Sequence, residues 1–171
     1  MLKKMQWFVA NVAVTPSAIR GGREAVPGVR KAAVEFLSGL DLKITGGANS
    51  FPAFLDTQTK KLTAALPERA RYWGRARECL NIFLRDASYN FLLRTTYGLD
   101  RLDEELETPL DSSVIKGLKS DAASEVLPRW TTIIALRPED NEGFQAIAER
   151  IARTKYGTHR ANLDLWYLRS V

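Results

Sequence analysis

From Pro67 to about Leu93 the chain carries its longest helical pattern, and this stretch limits the fold more than any other feature. At about 100° per residue, Trp73, Ala76, Leu80, Phe83, Leu84 and Ala87 fall on one face, with Arg71, Arg75 and Arg85 opposite. A helix with one apolar face needs packed partners to cover it. The rest of the chain offers mostly helices as those partners. Val29, Ala33, Phe36, Leu37 and Leu40 repeat at helical spacing. Ser50 reads as an N-cap, with Pro52 in the first turn, for a helix to about Leu66. Leu99, Leu102 and Leu106 share a register, and Gly98 is a stop before them. Asp111 opens a helix through Leu118, and Val126 to Leu136 is apolar. Phe144, Ile147, Ala148 and Ile151 mark an amphipathic helix over 142–155 that ends at Gly157. Thr158 then caps a last helix holding Leu163, Leu165, Trp166 and Leu168.

Pro16 to Pro27 reads as a Gly- and Arg-rich loop, and Gly46 to Asn49 as a break. The only strand signal is at the N-terminus, where 6–14 reads as a buried strand or the start of a helix. No repeat, linker or low-complexity segment divides the sequence. The expectation is an all-α or nearly all-α fold of about eight helices, in one compact domain over 1–171.

Composition excludes several classes. A chain of 171 residues, 45% hydrophobic and 26% charged, can bury a core and is not disordered. Its lone cysteine, Cys79, cannot form an internal disulfide, which fits a reducing, cytoplasmic compartment. Cys79 itself reads as a small buried hydrophobe. One cysteine and one histidine, His159, are too few for a His/Cys zinc site, and any Ser-His-Asp triad would depend on His159. His159 reads instead as a surface or capping residue. The N-terminal apolar stretch is interrupted by Gln6 and Asn11 and lacks an A-x-A cleavage pattern, so no export signal is expected. Nowhere do 18 apolar residues run together, so no membrane span is expected. The net charge of +5 favours an acidic partner such as nucleic acid.

Chemistry gathers around Asp111. An aspartate before a helix accepts hydrogen bonds from the first backbone N–H groups, and capping alone is a sufficient role. The segment Pro109-Leu110-Asp111-Ser112-Ser113-Val114-Ile115-Lys116 also resembles the catalytic-aspartate motif of helix-hairpin-helix DNA glycosylases. That motif has a proline or valine two residues before the aspartate, a branched apolar residue at +3 and a basic residue at +5. Pro109, Val114 and Lys116 stand there, and Ser113 replaces the family's histidine. The ending Ala161-Asn162-Leu163-Asp164-Leu165-Trp166-Tyr167-Leu168 resembles that of archaeal 8-oxoguanine glycosylases. Gly74 to Leu84 is more faintly similar to the hairpin and its following helix, so the resemblance covers roughly the second half of the chain. Two departures stand out. The hairpin holds only Gly74 where the family has two glycines, and Ala76 occupies the place of the lysine that forms a Schiff base. The flanking Arg75 and Arg77 cannot lose a proton to serve as amine nucleophiles.

The resemblance therefore implies a monofunctional N-glycosylase, without metal or cofactor, that acts on DNA as a monomer. Asp111 would stabilise the positive charge that builds on the sugar as the base leaves. The base must first flip out of the stack. Trp166, Trp73 and Tyr167 would wall its pocket, and Asp164 or Asn81 would read its edge. The aromatics equally suit core packing, Trp73 above all. Arg69, Arg71, Arg75 and Arg77 would hold phosphates in place of the missing glycines, with Lys116 and Lys119 as a second contact. A solvated helix face is the alternative for these arginines. The acidic run Asp103, Glu104, Glu105 and Glu107 must then face away from DNA. The target would be a damaged base, in repair, or a modified base of viral DNA, in defence. A non-catalytic helical nucleic-acid-binding module and a protein-interaction domain are the rival readings.

Overall fold

The computed structural model describes residues 1–14, 19, 26–44, 50–122 and 125–168. The 46–49 break, and the 16–27 loop apart from Ile19, Val26 and Pro27, lie outside the described residues. All regular structure among the described residues is helical. The α-helices are α1 (Leu2–Ala13), α2 (Val29–Ser38), α3 (Ser50–Ala65), α4 (Trp73–Tyr89), α5 (Phe91–Tyr97), α6 (Ser112–Asp121), α7 (Pro138–Ile151) and α8 (Leu163–Tyr167). The N-terminal segment is thus helix rather than strand. Its buried residues Gln6, Val9, Ala10 and Ala13 recur every three or four positions, not every two.

The long 67–93 pattern is cut into three. A 3-10 turn at Glu68–Ala70 precedes α4, and Asn90 ends it by capping α5, its side chain accepting from Leu93 N at 3.1 Å. Gly98, with φ of 61°, closes α5 in the left-handed region that favours glycine. The apolar stretch 126–136 holds only a 3-10 turn, Ile133–Ala135. Beyond α7 the chain continues as a π turn, Ala152–Tyr156, to Gly157. Thr158 does not cap α8: a 3-10 turn at Arg160–Asn162 intervenes, and the Thr158 hydroxyl accepts from Asn162 Nδ2 instead.

Two apolar cores result. The first gathers Val9, Leu37, Phe51, Leu55, Leu62, Leu80 and Phe83 from α1 to α4, with Leu93, Leu99 and Leu102. The second gathers Leu110, Val114, Leu118, Ile133, Leu136, Phe144, Ala148 and Leu163. Each fully buried Phe or Leu contributes about 1.5–3 kcal/mol. Helix α4 lies between them. It packs on α1 and α3 through Ala76, Leu80 and Phe83, and its first turn meets the Ile133–Ala135 turn. Gly74 makes that meeting feasible: a Cβ there would sit 2.0 Å from the Ile133 carbonyl oxygen.

Candidate active site

The chain passes from the first core to the second along residues 107–110, and Asp111 stands at the exit. Asp111 is extended (φ −87°, ψ 177°), and its Oδ1 accepts from Ser113 N and Val114 N, both at 2.8 Å. Two short bonds to one oxygen fix the side chain. The other oxygen, Oδ2, has no hydrogen-bond partner among the described residues. The approach to Asp111 is held as firmly. Leu110 N donates to Glu78 Oε2 at 2.7 Å, Pro109 has no N–H to satisfy, and Thr108 N donates to Gln145 Oε1 at 2.9 Å. Burial pushes the Glu78 carboxyl up to about 8; the Leu110 N–H and the Arg85 charge oppose this, and the Asp111 and Glu107 charges add to it.

Along α6, beginning at Ser112 next to Asp111, opens a cleft of about 700 Å³ that Asp111 itself does not line. Ser112, Ser113, Lys116, Gly117 and Ser120 form one side, and Trp166 and Tyr167 of α8 the other. The wall is built tightly. A Cβ at residue 117 would lie 2.3 Å from the Tyr167 ring, so glycine is what lets α8 approach α6. The Tyr167 hydroxyl donates to Asp121 Oδ2 at 2.9 Å, and Tyr156 donates to the same oxygen at 2.7 Å. Trp166 stacks on Tyr156 with ring centres 4.9 Å apart, yet remains 58% exposed. Lys116 and Lys119 are exposed and have no ion-pair partner among the described residues.

The other residues singled out from the sequence lie elsewhere, most of them in a polar seam between the cores. Arg77, only 5% exposed, is not a phosphate ligand in this fold. Its Nε and Nη2 grip Glu107 at 2.9 and 2.7 Å, and Nη1 reaches Asp56 at 2.8 Å. Burial opposes the Arg77 charge, but Glu107 and Asp56 outweigh it and hold its pKa above the ordinary value. Glu107 shows the converse: burial opposes ionisation, but Arg77, Asn81 and Asn141 hold the carboxyl below its usual range. Asn81 is 3% exposed and donates to Glu107 Oε2 at 3.0 Å, so it does not face a base. Arg75 is 1% exposed, donates to Ala70 O at 2.8 Å and lies over the Tyr72 ring; burial removes it too from any phosphate. Trp73 is half-buried against the second core under the Arg77 guanidinium, outside the cleft. Asp164 is occupied by Arg85, which also binds Asp86 at 2.7 Å. Arg69 and Arg71 are exposed, Arg71 donating to Leu66 O at 3.0 Å.

The acidic run is divided: Glu104 is exposed, Asp103 and Glu105 are partly buried, and Glu107 is drawn into the interior. Glu107 is in the seam, and Asp103 pairs with Arg94 at 2.6 Å. Sequence reasoning missed Glu78, Gln145, Asn141, Tyr156 and Asp121. A signal for the first existed: Glu78 lies on the polar side of α4 with Asn81, both facing the seam. Among the described residues no cluster fit to hold a metal occurs, and no helix is long and apolar enough to cross a membrane. Set against protein-family models, curated proteins and solved structures, the chain finds no match in any of the three.

Proposed function

We propose that this chain is a monofunctional DNA N-glycosylase, acting as a cytoplasmic monomer without metal or cofactor, with Asp111 as its catalytic carboxylate. One observation carries the reading. Asp111 divides its carboxylate, using Oδ1 to cap α6 and leaving Oδ2 unengaged, beside a cleft with an aromatic wall and a free ammonium. A catalytic carboxylate needs this division, because the anchoring oxygen fixes the position of the reactive one.

The reaction is hydrolysis of the bond between base and sugar. As the bond breaks, the electron pair leaves with the base and the sugar becomes an oxocarbenium-like cation. Asp111 Oδ2 stabilises that cation electrostatically. Water adds its oxygen to the anomeric carbon, and its proton ends on the departing base. A flipped base stacks on Trp166. Lys116 and Lys119 take backbone phosphates, helped by the exposed Arg69 and Arg71. Ala76, fully buried where a Schiff-base lysine would stand, supports an abasic product without strand cleavage. The damaged-base and viral-base targets both remain consistent with this chemistry.

The capping bonds of Asp111 also suit the second reading, a nucleic-acid-binding module in which Asp111 only stabilises α6. The Asp111→Asn variant decides between them. Its amide oxygen still accepts the capping bonds, so stability falls by at most about 1 kcal/mol, while base release is lost and DNA affinity kept. Release at the wild-type rate from a folded variant refutes the catalytic role. A borohydride-trapped covalent adduct refutes the monofunctional mechanism.

A further inference from the structure

The cleft along α6 is built differently from a pocket for a bare base. It offers three serine hydroxyls, from Ser112, Ser113 and Ser120, together with the Lys116 ammonium. All four residues are exposed, and none of these groups has an intramolecular partner among the described residues. Serines at 113 and 120, with Lys116 and Gly117 between them, lie along one face of α6 at helical spacing. Opposite stands the exposed face of Trp166, backed by Tyr156 and so held as a platform.

Size and chemistry agree. About 700 Å³ is well beyond what one planar base fills, though ordinary for a larger polar ligand. Each hydroxyl donates and accepts, which suits a ligand whose own groups do both. Recognition of a base by its edge needs fixed, directional groups, and the two suggested by the sequence, Asn81 and Asp164, are spent on Glu107 and Arg85. What faces the cleft is a stacking surface, rotatable hydroxyls and a flexible cation.

Resting on the glycosylase reading, we infer that the cleft between α6 and Trp166 selects bases enlarged by a hydroxyl-rich adduct, of which a hexose-bearing pyrimidine is the type. The base and the apolar face of the sugar ring share the aromatic wall, the serines exchange hydrogen bonds with the sugar hydroxyls, and the same hydrolysis releases base and adduct together.

The test uses the full chain and four oligonucleotide duplexes of one sequence. They carry 5-hydroxymethylcytosine, its glucosylated form, 8-oxoguanine or uracil, and released base is measured by mass spectrometry. The glucosylated base is expected to be released at least tenfold faster than 5-hydroxymethylcytosine. Equal or slower release of the glucosylated base overturns the inference. Release of 8-oxoguanine or uracil alone overturns it while leaving the glycosylase reading standing; release of none of the four overturns the inference and counts against the reading itself. A Ser120→Phe variant, which fills the cleft from an exposed helical position, is expected to lower release of the glucosylated base at least tenfold. Unchanged release from this variant, folded by circular dichroism, removes the cleft from recognition. Should the variant not fold, the wild-type comparison across the four duplexes still decides the matter.

Discussion

The seam between the cores and the cleft along α6 are both rich in polar side chains, and they treat them in opposite ways. In the seam, Glu107 accepts four hydrogen bonds, from Arg77 twice, Asn81 and Asn141, and Gln145 serves both the N–H and the C=O of Thr108. In the cleft, three hydroxyls and one ammonium have no partner among the described residues, and neither does Asp111 Oδ2 next to Ser112 at its end. A buried network is favourable only when its members are satisfied. Exposed groups left unsatisfied are available to a ligand. Burial and saturation thus separate the arginines that hold the fold from the lysines left free at the surface, a distinction that charge alone does not make.

The largest expected effect breaks the seam. Arg77→Ala leaves Glu107 buried and ionised without its main partner, and removing one member of a buried pair costs about 3–5 kcal/mol. Urea denaturation measures it. A loss below 1 kcal/mol would mean that the seam is no more tightly bound than the surface.

The next concerns the seam's other buried acid. Glu78 holds its proton to about pH 8, against an ordinary value of 4.5. Between those values the unfolded chain releases a proton that the folded protein keeps. Stability therefore falls as pH rises through this window, by about 1 kcal/mol or more per unit, and levels off above it. Glu78→Gln keeps an acceptor for Leu110 N but cannot ionise, so its stability advantage over wild type should grow from pH 5 to pH 8. A constant difference across that range would show Glu78 charged throughout.

The smallest effect on stability, and the most telling for the cleft, comes from Lys116→Ala with Lys119→Ala. Both side chains are exposed and unpaired, so the denaturation midpoint should barely move. The slope of log affinity for one DNA duplex against log salt should flatten by about two units. Parallel salt lines would remove these two lysines from any contact with DNA.

Much of the fold was legible in the sequence, and the reason is periodicity. The apolar face of α4 reads directly from Trp73 to Ala87, and Gly98 and Gly157 mark real stops. What periodicity does not tell is whether something covers the other face. Arg77, Glu78 and Asn81 look like part of a solvated or DNA-facing stripe, but residues 107–110 and α7 close over the seam they enter, and Arg75 is buried against Ala70 and Tyr72. Within the candidate site, Asp111, Lys116, Trp166 and Tyr167 were reached through local motifs. Asp121 and Tyr156 were not, because their contribution is a hydrogen bond between residues 35 positions apart. The serines of α6 were not read as ligand groups for a different reason: a short polar residue on an exposed helix reads as capping or solvation, and only the facing aromatic wall gives it another meaning.

The crossing at 107–110 has one more consequence. Its amide groups are bound by side chains from α4 and α7, not by a neighbouring strand. Pulling the cores apart would strand Thr108, which is fully buried, and leave Glu78 and Gln145 without backbone to bind. Each such loss costs on the order of 1–3 kcal/mol. The two halves are thereby coupled: opening one removes the hydrogen-bond partners of the other, and the expected outcome of melting is one cooperative transition rather than two.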